Sequence, residues 1–539
     1  MKKYGKIIDV VNRKIFNGCI TIEEGRIVKI EATDQEYSNY ILPGFVDAHV
    51  HIESSMLIPS RFATLAVKQG TIAIVNDPHE IANVLDVEGV EFMIEDSKKS
   101  DFKFYFGAPS CVPATDMESS GGNLDSQKVK SLLERDEIVV LSEVMNFPGV
   151  IYGDKEVHAK INAAKSIGKP IDGHAPGLTG KDLDKYISAG IQTDHEAYSY
   201  EEGKEKIEKG MYILVREGSA AKNFDSLYKL IDEYPEKVML CTDDSHPDNL
   251  SVGHINKIIA KGLNKGVDLF NLLRAATYNP KKFYNLDIGL LQEGDPADFV
   301  VLEDLESMTV KETYINGKRV FFDNNVSMDL GDYTPINKFR DKKINEEDLK
   351  VISTTDKMQV IKCYDGELIT DKDIISVEKG VEIKTEGLDG INKIVVVNRY
   401  NNQAKPQVAF ISGFGLKDGA VAMSIAHDSH NIIAVGNKDS EITAAINRLI
   451  ENKGGIVLFR DNKFKEIKLE VAGLMTGKDP IKLAEEYKEI EESVKEMGSK
   501  LKAPLMTLSF MALLVIPKLK LSDKGLFDGE SFNFTEIFI

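Results

Sequence analysis

The sequence predicts an α/β protein: a (β/α)8 TIM-like barrel, a small β-sandwich domain built from both flanks of the barrel, and an additional C-terminal α+β domain. Three observations carry that expectation. At 539 residues the chain exceeds one ordinary domain. Within it, short apolar, β-branched runs alternate eight times with stretches of helical spacing, over the roughly 240 residues such a barrel needs. Finally, those runs end in polar or ionisable clusters, and the C-terminal ends of the strands are where this architecture keeps its chemistry.

Taken in order, the N-terminal flank "GKIIDVVNRKIFNGCITIEEGRIVKI" alternates like strands with a glycine turn. After the barrel, "GLLQEGDPADFVVLEDLESMTVKETYINGKRVF" carries the hairpin signals "EGDPAD" and "INGK". These two pieces, 1–42 and 288–340, are expected to pair as one small β domain. The barrel then spans 43–287. Its runs are "GFVDAHVH", "TIAIVNDPHE", "FKFYFGAPS", "IVVLSEVMN", "KPIDGHAP", "GIQTDHEA", "MYILVREGS" and "KVMLCTDDSH". Between them lie stretches such as "VEGVEFMIEDSKKS" and "DKEVHAKINAAKSIG", with apolar residues at helical spacing.

The run ends collect His49 and His51 on strand 1, Asn76, Asp77 and His79 on strand 2, and Glu143 on strand 4. Strands 5 and 6 give His174 and His195, strand 7 gives Arg216, Glu217 and Ser219, and strand 8 gives Asp243, Asp244 and His246. A single histidine at a strand end is ordinarily a hydrogen-bonded or exposed residue, and "TDD" is commonly a turn or helix cap. Five strands aiming nitrogen and oxygen ligands at one mouth are different. Burying so many polar groups together is costly unless a metal or substrate engages them.

Period-two alternation puts His49 and His51 on one face, where they can share an ion. His174 and His195 can hold a second, with Glu143 bridging and Asp243 opposite as ligand and proton acceptor. Such a pair of divalent ions activates water, and the nearby carboxylate shuttles its proton, which amounts to hydrolysis of a polar C–N bond. Imidazole with carboxylate suits Fe(II), Mn(II) or Zn(II).

Beyond the barrel, the charged stretch 341–357 reads as a linker and 358–539 as a separate domain. There "KDPIKLAEEYKEIEESVKEMGSKLKA" reads as a surface helix with Leu483, Tyr487, Ile490 and Val494 on one face. In "SIAHDSHNIIAVG", His427, Asp428 and His430 follow a strand-like run. They either complete the active site or bind another metal, or they form a hydrogen-bonded packing loop. The glycine-rich stretch "ISGFGLKDGA" lacks phosphate-loop spacing.

A formal net charge of −19 argues against a nucleic-acid polymer as partner, though not against a single nucleobase. The N-terminus lacks the apolar segment of a secretion signal. The apolar run 503–517 is short for a membrane span and reads as core. Four cysteines far apart, with no CxxC, read as free thiols of a cytoplasmic protein.

"PGFVDAHVHIE", the strand-4 ligand, the histidines of strands 5 and 6, and the strand-8 "TDD" resemble the amidohydrolase superfamily. Many members carry a carboxylated lysine after strand 4; here "VVLSEVMNFPGV" offers Glu143, which disfavours hydantoinase-like and dihydroorotase-like relatives. "HVHIESSM", "NDPHEIANV", "DGHAPGLTGKDL", "AGIQTDHE", "VREGSAAKN", "CTDDSHPDNL" and "FGLKDGAVAMSIAHDSHNIIAVG" resemble the bacterial adenine deaminases over nearly the whole chain. The resemblance implies conversion of adenine and water to hypoxanthine and ammonia at a binuclear centre, with manganese or iron before zinc.

On that reading activated water attacks C6, and Asp243 takes its proton and delivers it to the departing amine. Asp77 protonates a ring nitrogen or supports a metal, unless it is only the first residue of an Asp-Pro turn. Arg216, Glu217, Ser219 and His79 are candidate contacts to the purine. The absence of PCxxC separates the chain from the zinc nucleobase deaminases. A homodimer or higher homo-oligomer is expected. The alternatives are an amidohydrolase of another aminated heterocycle or cyclic amide, and a non-catalytic metal-binding scaffold.

Overall fold

A computed structural model describes residues 1–219 and 222–539. It contains two compact units. One comprises 1–79, 91–111 and 124–333; the other comprises 80–90, 112–123 and 334–539.

The first unit holds the barrel. Its strands are Phe45–His51, Thr71–Asn76, Lys103–Ala108, Ile138–Val144, Ile171–Gly173, Thr193–Asp194, Tyr212–Arg216, and an eighth in two pieces, Val238–Cys241 and Asp243–Asp244. Strands 1 to 5 form a continuous parallel ladder, and strands 6 to 8 form another. The break in strand 8 closes the ring. Val238–Cys241 pairs with strand 7, whereas Asp243–Asp244 pairs with strand 1, Asp243 opposite Val50. At the break, Thr242 donates its backbone N–H and its hydroxyl to Asp47.

Between strands 5 and 6 side chains supplement a reduced backbone pairing. Gly173 N–H donates to the Thr193 hydroxyl at 3.1 Å and Gln192 N–H to the Ile171 carbonyl at 3.0 Å. Gly173 permits this approach, because a β-carbon there would collide with the Thr193 carbonyl. The strands are buried on both faces, as parallel strands under helices must be. Helices around them are stopped locally. Asp154 caps Lys155–Ile167 by accepting from the N–H groups of Glu156 and Val157, and Gly168 ends that helix at φ 75°.

The two flanks meet in one eight-stranded sheet, where the sequence suggests a small sandwich. Tyr40–Pro43 from the N-terminal side pairs antiparallel with Phe299–Leu302 from the other, Ile41 opposite Val301. Ile7, Ile20, Ile27, Ile41, Phe299 and Tyr314 form its core.

The second unit is built on an eight-stranded, mostly antiparallel sheet with the helices Asp439–Asn452 and Pro480–Glu496. Leu483, Tyr487, Ile490 and Val494 are buried along the latter. Two corrections to the domain boundaries follow. The segment 341–357 is not a bare tether: Ile344 and Leu349 are buried in this unit's core with Val395, Ile432 and Ile446. The stretch 43–287 does not stay whole either, since 80–90 and 112–123 join the second unit. Their polar contacts explain it. Asn83 carbonyl accepts from Gly121 and Gly122, Ser119 N–H donates to Asp523, and Asn431 donates to the Ser119 carbonyl.

Among the described residues no helix is long and apolar enough to cross a membrane. The four cysteines are free and buried.

Candidate metal centre

Alternation along strand 1 sends Asp47, His49 and His51 to the barrel interior and Val46, Ala48 and Val50 the other way. The interior three are layered by task. Asp47 fixes Thr242, and His49 and His51 reach the mouth. There they meet Glu143 from strand 4, His174 and His195 from the ends of strands 5 and 6, Asp77 and His79 from strand 2, and Asp243 from strand 8. All but His174 are buried; its side chain is 27% exposed and marks where the cluster opens to solvent.

Glu143 is central. Its Oε1 lies 3.5 Å from His51 Nε2 and 3.4 Å from His79 Nδ1. Its Oε2 lies 2.6 Å from His174 Nδ1 and 3.2 Å from His195 Nε2. Asp243 Oδ1 sits 3.1 Å from His51 Nε2 and 3.6 Å from His49 Nε2, and its Oδ2 accepts from Arg216. Asp243 takes φ 57°, the left-handed region, which a non-glycine residue holds at about 1–3 kcal/mol. That backbone turns its carboxylate into the cluster. Asp244, beside it, accepts from the Ser54 hydroxyl at 2.5 Å. Of the two strand-8 carboxylates, Asp243 is the one that lies among the imidazoles.

Electrostatics follow from this packing. Burial alone would raise the Glu143 carboxyl, but the imidazoles of His174 and His195 hold it well below the usual carboxylate range. Asp243 is likewise opposed by burial and held well below that range by Arg216, His49 and His51. For His174, burial disfavours the imidazolium, yet Glu196 and Glu143 push the ring up to about 9. Around Glu143 and Asp243 the field favours added positive charge, whereas burial and the neighbouring His49 hold the His195 ring below its ordinary value.

The donor set fits a pair of divalent ions. Three groups of ligand atoms converge: His51, Asp77, His79 and Glu143; His49, His195 and Asp243; Glu143, His174 and His195. His49 Nε2 is buried with no hydrogen-bond partner among the described residues, and an orphaned ring nitrogen among carboxylates is what a metal ligand looks like without its ion. His51 Nδ1 lies 3.0 Å from the Asp77 carbonyl, an outer contact that fixes the ring so that Nε2 faces inward.

Of the residues singled out from sequence, His49, His51, Asp77, His79, Glu143, His174, His195, Arg216 and Asp243 come together. Arg216 is engaged by Glu196 and Asp243. Glu217 accepts from Lys261 at 2.9 Å, and the Ser219 hydroxyl accepts from His246 N–H and Asn249. His427, Asp428 and His430 belong to the second unit, where the rings of His427 and His430 bond the two oxygens of Glu80.

Sequence reading missed two carboxylates. Glu196 lies 3.5 Å from His195 and 3.6 Å from His174 and binds Arg216 with both oxygens. Glu80 is the other. Each directly follows a strand-end histidine, in "TDHE" and "NDPHE"; that dipeptide was the available signal.

Comparison with known proteins bears on the whole chain. Residues 40–320 match the amidohydrolase family, and residues 367–533 match the adenine deaminase C-terminal domain. The chain is 52% identical to an adenine deaminase of Methanosarcina acetivorans over 100% of both chains. It is 50% identical to one of Sulfurovum sp. over 99% of both, and 44% identical to one of Borreliella burgdorferi over 98% of both.

Proposed function

The chain belongs to the amidohydrolase family, and within it to the adenine deaminases, and from that premise we propose how its own residues carry out the hydrolysis of adenine to hypoxanthine and ammonia. His49, His51, His174, His195, Glu143 and Asp243 would hold two divalent ions, manganese or iron before zinc, with His79 and Asp77 beside them. Bound there, the ions lower the pKa of water and polarise the substrate.

The chain's part is positioning and proton transfer. Glu143 presents one oxygen to the His51 side and the other to the His174 and His195 side, so both halves of the site are locked to one side chain. Asp243, fixed through Oδ2 by Arg216, keeps Oδ1 inside the cluster. It takes the proton of the water that attacks C6 and hands it to the leaving amine as the tetrahedral carbon collapses. Arg216 and Glu196 hold Asp243 in register. Asp77 and His79 stand at the end of strand 2, where a protonated ring nitrogen of the purine can be met, and Glu217 and Ser219 lie farther along the strand-7 loop as candidate purine contacts.

The observation that supports this reading best is the division of Glu143 between two sets of imidazoles. Its test is direct. Protein stripped of metal should be inert, and Mn(II) or Fe(II) should restore ammonia release and the ultraviolet change from adenine to hypoxanthine, with adenosine and cytosine untouched. Turnover that is indifferent to metal would overturn it. The active form is taken as a homodimer or higher homo-oligomer, because closed assemblies are the common case. The four free cysteines suit a cytoplasmic enzyme.

A further inference from the structure

The second unit holds a buried cluster that this chemistry does not use. The turn 426–430 is closed by His430 N–H donating to the Ala426 carbonyl at 2.7 Å. It throws His427 and His430 to the same side. His427 Nδ1 meets one oxygen of Glu80 and His430 Nε2 meets the other. All three side chains are buried, and the three ligand atoms lie within 4.8 Å of one another. The His427 ring stacks on Phe510 with centroids 4.8 Å apart, which fixes its plane. We infer that Glu80, His427 and His430 form a mononuclear divalent-cation site in the second unit, in addition to the pair of ions proposed for the barrel mouth.

Two imidazoles and a carboxylate are a sufficient protein shell for a first-row divalent ion that keeps one position open. Bonds of about 2.0–2.2 Å to one ion space its ligands about 3.3 Å apart, so the three need only part slightly to admit it. A second observation points the same way. Glu118 is buried against this turn, bonded to Ser429, and its Oε2 has no hydrogen-bond partner among the described residues. Asp428 and Asp523 add carboxylates to the same neighbourhood. Lys524 offers Glu118 a partial counter-charge, whereas the nearby Arg399 is engaged by other groups. Its guanidinium donates to Asn337 Oδ1 and to the carbonyls of Lys338, Ala472 and His430. Buried carboxylates in this number are ordinarily paired or bound to metal, and a divalent cation supplies the charge. The bare alternative is a clamp, in which one carboxylate accepts two imidazole N–H groups.

Metal counting separates the two. Holoenzyme produced with Mn(II), freed of loose ions by gel filtration and measured by plasma mass spectrometry, should carry about three ions per chain, and His430→Ala about two. Glu80→Gln, which keeps the side-chain shape, serves if His430→Ala fails to fold. Anomalous diffraction at the manganese edge should show a peak among Glu80, His427 and His430. That peak should persist in His49→Ala, which removes one ligand candidate from the barrel mouth. A wild-type count of about two, with no anomalous peak in the second unit and adenine turnover intact, overturns this site and leaves the deaminase reading standing. A count unchanged by both His430→Ala and Glu80→Gln overturns it equally.

Discussion

Asp243 is gripped on one oxygen by Arg216 and faces His49 and His51 with the other. Asp243→Asn keeps shape and a ligand oxygen but cannot take a proton. Its kcat should fall by about 10²–10⁴, with metal content by mass spectrometry unchanged; a loss under tenfold would remove Asp243 from proton transfer. Arg216→Met tests the grip. It leaves the buried Asp243 and the partly buried Glu196 without their guanidinium, and removing one partner of a buried ion pair destabilises by about 3–5 kcal/mol. The variant should therefore unfold at lower denaturant as well as turn over more slowly, and Arg216→Lys should recover part of both. Unchanged stability would show that the guanidinium is not the partner of these carboxylates. At this scale the converging side chains were legible because each lies at or just past a predicted strand end. Glu196 and Glu80 were not, since each stands one residue past a flagged histidine and no periodicity marks it. The position of Arg216 on strand 7 suggests a purine contact and does not reveal that both of its partners are carboxylates of the same cluster.

Elements were legible where burial imposed a pattern and obscure where side chains did the work of backbone. The apolar runs of strands 1 to 4 announce themselves. Strand 6 is only Thr193–Asp194, and strand 8 breaks at Thr242; Thr193 and Asp47 satisfy the backbone there, and nothing in composition says so. The stretch 341–357 reads as a tether because its charges hide Ile344 and Leu349. A charged residue inside a strand gives a test at this scale. Lys520 in Leu519–Ser522 is buried, donates to the carbonyls of Leu368 and Phe510, and is pushed down to about 7 by burial. Its unfolded value is about 10.4. The unfolded chain therefore binds more protons between those limits, and this group makes stability rise with pH across that window. Below pH 7 the penalty of the buried ammonium is fully present. Urea midpoints at pH 7, 8.5 and 10 should climb less steeply in Lys520→Met than in the wild type; parallel slopes would show that Lys520 is not the titrating group.

At the scale of the whole molecule, the chain interleaves its units: 80–90 and 112–123 are barrel sequence yet belong to the second unit. A chain cut after residue 333 loses more than a C-terminal domain. Glu80 is stripped of His427 and His430, and Ser119 of Asp523 and Asn431. Ile81, Ala82, Val84 and Leu85, all buried, lose the unit they pack in. Fully burying side chains of the size of Ile81, Val84 and Leu85 contributes about 1.5–3 kcal/mol each, so their exposure is comparable with the 5–15 kcal/mol that holds a typical domain together. The disorder does not stop at Glu80, because Glu80 lies in the helix His79–Leu85 and the preceding residues Asp77 and His79 sit in the metal cluster. Truncation should therefore abolish adenine turnover and also lower the metal content of the barrel, with fast hydrogen exchange across 80–90. A truncated chain that keeps both its ions and protected amides in that helix would show that the barrel mouth is held by the first unit alone.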